Sequence, residues 1–121
     1  MWCWLVSGDY AVWRDELAEA NDPAFMPIEE IDKRLAEGRA QFWCDGKVAL
    51  VTEVIAHPGG AVTVDALAVA GDMEALNETI EPAVTAWAEP FASHLRVIGR
   101  PGWVRVKTGW KHEQSILTRA L

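Results

Sequence analysis

Several things are scarce in this chain, and each shortage removes a class of function. Only two cysteines occur, Cys3 and Cys44, far apart and without the paired spacing of a zinc or redox site. They read as reduced, partly buried thiols, because nothing in the sequence argues for the oxidising compartment a disulfide would need. No stretch approaches the roughly 18 uninterrupted apolar residues of a membrane-spanning helix. The opening Met1–Val6 stretch lacks a basic leader and soon meets Asp9, so no signal peptide is expected and a cytoplasmic location is. Positive charge is also short: 11 Lys and Arg stand against 18 Asp and Glu, a net charge of −7 with a pI near 4.8. Such a surface repels phosphate backbones and anionic lipid, so neither nucleic acid nor membrane is an expected partner. Repeats, low-complexity runs and Gly/Ser linkers are missing, and 121 residues suit one domain with one core.

Tryptophan, by contrast, is abundant, with seven copies. Indoles bury a large area and want a partner for the N–H, which places them in cores, pocket walls or interfaces; composition does not choose among these. A basic cluster, Arg96, Arg100, Arg105, Lys107 and Lys111, lies apart from the acidic first half and reads as an anion site or a solvated face.

Periodicity sets out the elements. Val12, Trp13, Leu17 and Ala20 stand at helical spacing, closed by Asn21-Asp22-Pro23, which predicts a helix from Asp9 to Ala20. A second helix runs from Pro27 to Leu35, with Pro in the first turn, acids early, bases late and Gly38 beyond its end. From Ala40 the texture turns β-branched and aromatic. Gln41–Cys44, the turn pair Asp45-Gly46, and Lys47–Ala56 predict a hairpin, and Pro58-Gly59-Gly60 leads into a third strand, Ala61–Val69. Simple alternation puts Val62, Val64, Ala66 and Ala68 on one face and Thr63, Asp65, Leu67 and Val69 on the other, a strand covered on both sides. Asp72 then caps a long helix whose stripe is Leu76, Ile80, Ala83, Val84, Trp87 and Phe91; Pro82 inside it predicts a bend near Glu81. His94–Ile98 is a further strand, 99–106 a turn or short helix, and His112–Ala120 a last strand. The expected class is α/β (α+β): a mostly antiparallel twisted sheet with two N-terminal helices and one long crossover helix.

That order, with Ala70-Gly71-Asp72, Trp87-Ala88 and Gly99-Arg100-Pro101-Gly102-Trp103, resembles the GNAT family of N-acetyltransferases over residues 40–121. Within it, the set is similar to a small GNAT-like group met in phages and prophages of proteobacteria. The resemblance implies a β-α-β core that opens a V between its two parallel strands for acetyl-CoA, with Val69, Ala70, Gly71, Arg100 and Trp103 at the cofactor. It also implies an acyl-CoA-dependent N-acyltransferase acting on a small amine or a protein amine, without a metal. The other activity it implies is a non-catalytic module whose partner is a second copy or a virion protein. In the family, a glycine-rich, basic loop presents backbone N–H groups to the pyrophosphate at a helix N-terminus. Here that position reads Val69-Ala70-Gly71-Asp72-Met73-Glu74, with one glycine and two carboxylates.

Acyl transfer to an amine needs a base, and Glu53, His57 and Asp65 are the candidates. Glu53 and His57 share a strand face and Asp65 lies on the neighbouring strand; burial together would raise a carboxylate pKa toward neutrality. Tyr10, the only tyrosine, does not match the family's C-terminal general acid. His57, His94 and His112 lack metal-ligand spacing, and no serine or cysteine sits in a nucleophile context.

Overall fold

A computed structural model describes residues 8–97 and Arg119. Helices α1 (Gly8–Ala20) and α2 (Ile28–Ala36) lead into strands β1 (Ala40–Cys44), β2 (Val48–Ala56) and β3 (Val62–Gly71). A helical path follows as α3 (Met73–Ala75), a π-helical stretch (Leu76–Ile80) and α4 (Glu81–Ala88), before β4 (His94–Val97). The four strands form one sheet in the order β1-β2-β3-β4, antiparallel except for the parallel β3–β4 pair that the crossover helix joins. This is the mixed α+β architecture expected. The expected turn or helix at 99–106 and strand at His112–Ala120 lie outside the described residues.

Two cores lie on opposite sides of the sheet. Tyr10, Leu17, Ile31 and Leu35 from α1 and α2 pack on Phe42, Ala49, Val51 and Ala68. Leu76, Ile80, Val84 and Ala88 from the crossover helix pack on Trp43, Val48, Leu50 and Val64. Each helix forms for local reasons. In α2, Ile31 and Leu35 are one turn apart and buried, Glu29 and Glu30 sit at the positive end, and Lys33 and Arg34 at the negative end. The Arg39 and Gly38 amides donate back to the Arg34 and Leu35 carbonyls and stop the helix.

Strand β3 departs from simple alternation. Val51 pairs with Ala68 and Thr52 with Ala66, so Leu67 is an extra residue, a β-bulge. Its carbonyl accepts from Asn21 Nδ2 at 2.9 Å, which ties the bulge to the end of α1. The bulge reverses the facing of everything after it. Val64 and Ala66 lie on the crossover-helix side as expected, but Ala68 joins Leu67 and Ala70 under α1 and α2, and Val69 crosses to the helix side. Period-two counting missed this because an inserted residue shifts the phase by one.

The bend expected near Glu81 takes the form of the π-helical stretch just before it. Pro82 has no N–H to give the Glu78 carbonyl, and the Glu81 amide reaches back to Leu76 instead. Thr79 adds to this: its one hydroxyl proton is shared between the Asp45 carboxylate and the Ala75 carbonyl, 2.8 Å away, a back-contact that bends helices. Because a π turn holds more residues than an α turn, it offsets the drift of a four-residue repeat. Leu76, Ile80, Val84 and Ala88 therefore stay in line over the sheet, all buried. Phe91, expected on this stripe, lies past the helix end and is 41% exposed, edge-on to Trp87.

Candidate functional site

Three places carry the sequence-derived site residues: a polar cluster on the α1/α2 face of the sheet, the β3–α3 turn, and a cleft on the opposite face. In the cluster, Glu53 and Asp65 are direct cross-strand partners, and Arg96 of β4 is the partner of Asp65 on its other side. Thr63 stands one pleat below Asp65 and is buried. Its hydroxyl donates to Asp65 Oδ1 at 2.7 Å. A hydroxyl has one proton, so Thr63 can only accept from His57 Nε2, 2.8 Å away, which puts a proton on that ring nitrogen. His57, Thr63, Asp65 and Arg96 thus form one hydrogen-bonded chain across three strands.

Glu53 shares this face but not the chain. It is buried, and Arg34 reaches Oε1 at 2.8 Å while Arg39 approaches Oε2 at 3.6 Å. Arg34 is also bound to Glu30 at 2.7 Å, one helical turn away. Asp65 receives Arg96 through Nε at 3.0 Å and Nη2 at 2.5 Å, a bidentate pair. Burial pushes the Asp65 carboxyl up, but the hydrogen bonds from Arg96 and Thr63 and the charges of Arg96 and His57 outweigh it and hold it below the usual range. The direction is opposite to that expected of a base tuned toward neutrality.

At the β3–α3 turn, Gly71 has φ +109°, and a Cβ there would lie 2.3 Å from the Lys47 carbonyl oxygen. Only glycine fits, because β2 passes directly beneath. The amides of Asp72, Glu74 and Ala75 beyond it are already engaged. Asp72 N donates to the Lys47 carbonyl at 3.0 Å, and Asp72 Oδ1 accepts from Glu74 N at 2.8 Å and Ala75 N at 3.4 Å. Asp72 is thus the N-cap expected from the sequence. Of the other two residues placed here, Val69 lines the cleft on the helix side and Ala70 packs under α1 and α2. Arg100 and Trp103 lie outside the described residues.

The cleft runs between β2–β4 and α4, lined mainly by the apolar Leu50, Val64, Ala66, Val69, Val84, Leu95 and Val97, with Thr52, Glu81 and Arg96 also on its wall. Its volume is about 50 Å³, far below the roughly 300–1,000 Å³ of small-molecule sites. Strand β4 pairs with β3 from His94 to Val97, opposite Thr63 to Ala66, while β3 continues through the Leu67 bulge to Gly71. Among the described residues no group of three His, Cys, Asp or Glu side chains is placed to hold a metal ion, and no helix is long and apolar enough to cross a membrane.

This backbone has solved counterparts. The chain is similar in fold to TTHA1254 from Thermus thermophilus. The wild-type crystal structure aligns with a TM-score of 0.54 at 14% identity, covering 91% of each chain. A point mutant of the same protein aligns with a TM-score of 0.57 at 14% identity, covering 91% of this chain and 92% of that one. Neither a family model nor a curated protein matches. The likeness to TTHA1254 is therefore one of fold.

Sequence reasoning placed Glu53 and His57 on one strand face and Asp65 on the neighbouring strand; the register brings the three together, and the groups that hold them were missed. Thr63 was visible in principle, two residues from Asp65 on the same side of a strand. Arg34 and Arg39 were not, because their approach to Glu53 depends on how α2 crosses the sheet.

Proposed function

We propose that this chain is a GNAT-like scaffold that works through contact with a protein partner and does not transfer acyl groups. The observation that carries this reading is the cap on the crossover helix. Asp72 occupies the amides of Glu74 and Ala75, where the family places a pyrophosphate. A phosphate arriving there would have to displace one carboxylate and face two, each repelling it by about 1–4 kcal/mol according to screening. The proton-transfer candidates are engaged in the same way: Asp65 is held ionised by Arg96 and Thr63, and Glu53 is bound by Arg34 and Arg39.

The test is thermal unfolding with and without millimolar acetyl-CoA. An unchanged melting temperature is the expected result. A ligand at about 100 times its dissociation constant adds roughly 2.7 kcal/mol, and a shift of that size would overturn the proposal.

The apolar cleft favours a second reading, an acyl-CoA-dependent N-acyltransferase. It lies between the parallel strands and α4, where the family seats the pantetheine arm, and would have to widen to admit it. This reading requires the acetyl-CoA shift together with acylation of an added amine.

A further inference from the structure

Between Lys47 and Arg96 the sequence contains no lysine or arginine, while Asp72, Glu74, Glu78, Glu81 and Glu89 all fall on the crossover helix or its cap. The inward stripe of that helix is apolar and buried, and Glu81 stands at its edge, lining both the inner cleft and the outer face. Glu74, Glu78 and Glu89 are exposed and Glu81 is half-buried. Along the same outward face runs a groove of about 430 Å³, lined among the described residues by Asn77, Glu81, Pro82, Thr85, Ala86 and Glu89. Its apolar floor, Pro82 and Ala86, is exposed, and the partly exposed ring of Phe91 follows just beyond Glu89. Asp45 of the β1–β2 turn, bonded to Thr79, adds another carboxylate beside the helix. On the other side of the molecule the carboxylates of α2 and of the neighbouring sheet face are paired with Arg14, Arg34, Arg39 and Arg96.

We propose that the outer face of the crossover helix, centred on the Pro82–Ala86 groove, is the partner-binding surface, and that its occupant is a cationic amphipathic protein segment. The proposal rests on the protein-contact reading above and names its partner. Charge complementarity selects the occupant. A carboxylate rim with no cation of its own helix attracts lysine and arginine, and an apolar floor accepts aliphatic side chains between them. Net charge alone would attract cations to any acidic face; the groove is what makes this one directional.

The probe is a fluorescein-labelled synthetic peptide of lysine and leucine in amphipathic helical order, followed by anisotropy, with its glutamate–leucine counterpart as control. The wild-type chain binds the cationic peptide and not the anionic one. The variant E78Q/E81Q/E89Q weakens binding by about tenfold or more, and D15N/E16Q/E19Q, the same charge change on exposed α1 positions, changes it by less than about twofold. Because charge removal could also alter the fold, Ala86→Arg is the second variant. It keeps every rim carboxylate, suits a helix, fills the groove and abolishes binding. Equal weakening by the two triple variants, or full binding by Ala86→Arg, would overturn the surface. So would a dimer of the wild-type chain that Ala86→Arg dissociates, since a second copy would then be the occupant. An acetyl-CoA shift defeats the protein-contact reading itself, whereas failure of the peptide tests with no such shift defeats only this surface.

Discussion

The two faces of the sheet are held by different forces. On the α1/α2 face, charge and hydrogen bonding reach far in: Tyr10 donates to Asp32 at 2.6 Å, Arg14 grips the same carboxylate at 2.7 Å, and the buried Glu53 is bound by Arg34. Burial and the Asp32 contact raise the Tyr10 phenol above its ordinary range, so it stays a neutral donor. On the crossover-helix face the core is apolar and aromatic. A deep polar link there is the Trp43 indole donating to Thr52 at 3.0 Å, with Thr52 donating on to Gln41 at 2.8 Å. Trp43, Trp87 and Phe91 meet edge to face, at 5.4 and 5.0 Å between centroids. One face should therefore respond to pH and salt, and the other to lost volume.

The sharpest way to break the contrast is at Trp43, which is fully buried. Trp43→Ala should cost about 3–5 kcal/mol in denaturant unfolding, and the loss should not depend on salt. Glu53→Ala on the opposite face should cost about 2–4 kcal/mol by leaving Arg34 short of a partner; here E53A/R34M should recover part of the loss, which a purely steric defect would not allow. Between the faces, Gly71→Ala should cost about 2–3 kcal/mol, because the backbone must leave φ +109° and the new Cβ meets Lys47 and Val48. Asp72→Ala should cost about 1 kcal/mol as a lost cap, with no change in the core.

The smallest effect is the pH response. The Asp32 carboxyl is lowered chiefly by its hydrogen bonds from Arg14 and Tyr10, against burial, and Asp65 is lowered, against its burial, by Arg96 and Thr63. A carboxyl lowered by folding contributes stability that is present above its unfolded pKa, about 3.9, and is lost as pH falls through the lower folded value. The melting temperature should hold from neutral pH to about 5 and decline below about 4. Asp32→Asn and Asp65→Asn should each flatten that decline, and an unaltered decline in both would show that the α1/α2 face is not its source.

Much of the architecture was legible in the residues. Ile31 and Leu35 a turn apart, the Asp45-Gly46 pair, the Asp72 cap and the proline in the crossover helix each act within a few residues, and the elements appear where these signals stand. The bulge at Leu67 was not legible, because its support is the side chain of Asn21, far away in the chain. The π turn was legible only as a bend, since whether a proline kinks, splits or rewinds a helix depends on what the stripe must reach.

The candidate site divides along the same line. That Glu53 and His57 share one strand face follows from period-two geometry, and that Asp72 closes a helix start follows from its short acceptor side chain; that Asp65 joins that face was decided by the β2–β3 register. That Asp65 is tied to Arg96, Glu53 to Arg34 and Thr79 to Asp45 was decided only when distant elements packed together. Local periodicity says which way a side chain points, while its charge state and partners depend on the neighbours that the tertiary structure brings within about 3 Å.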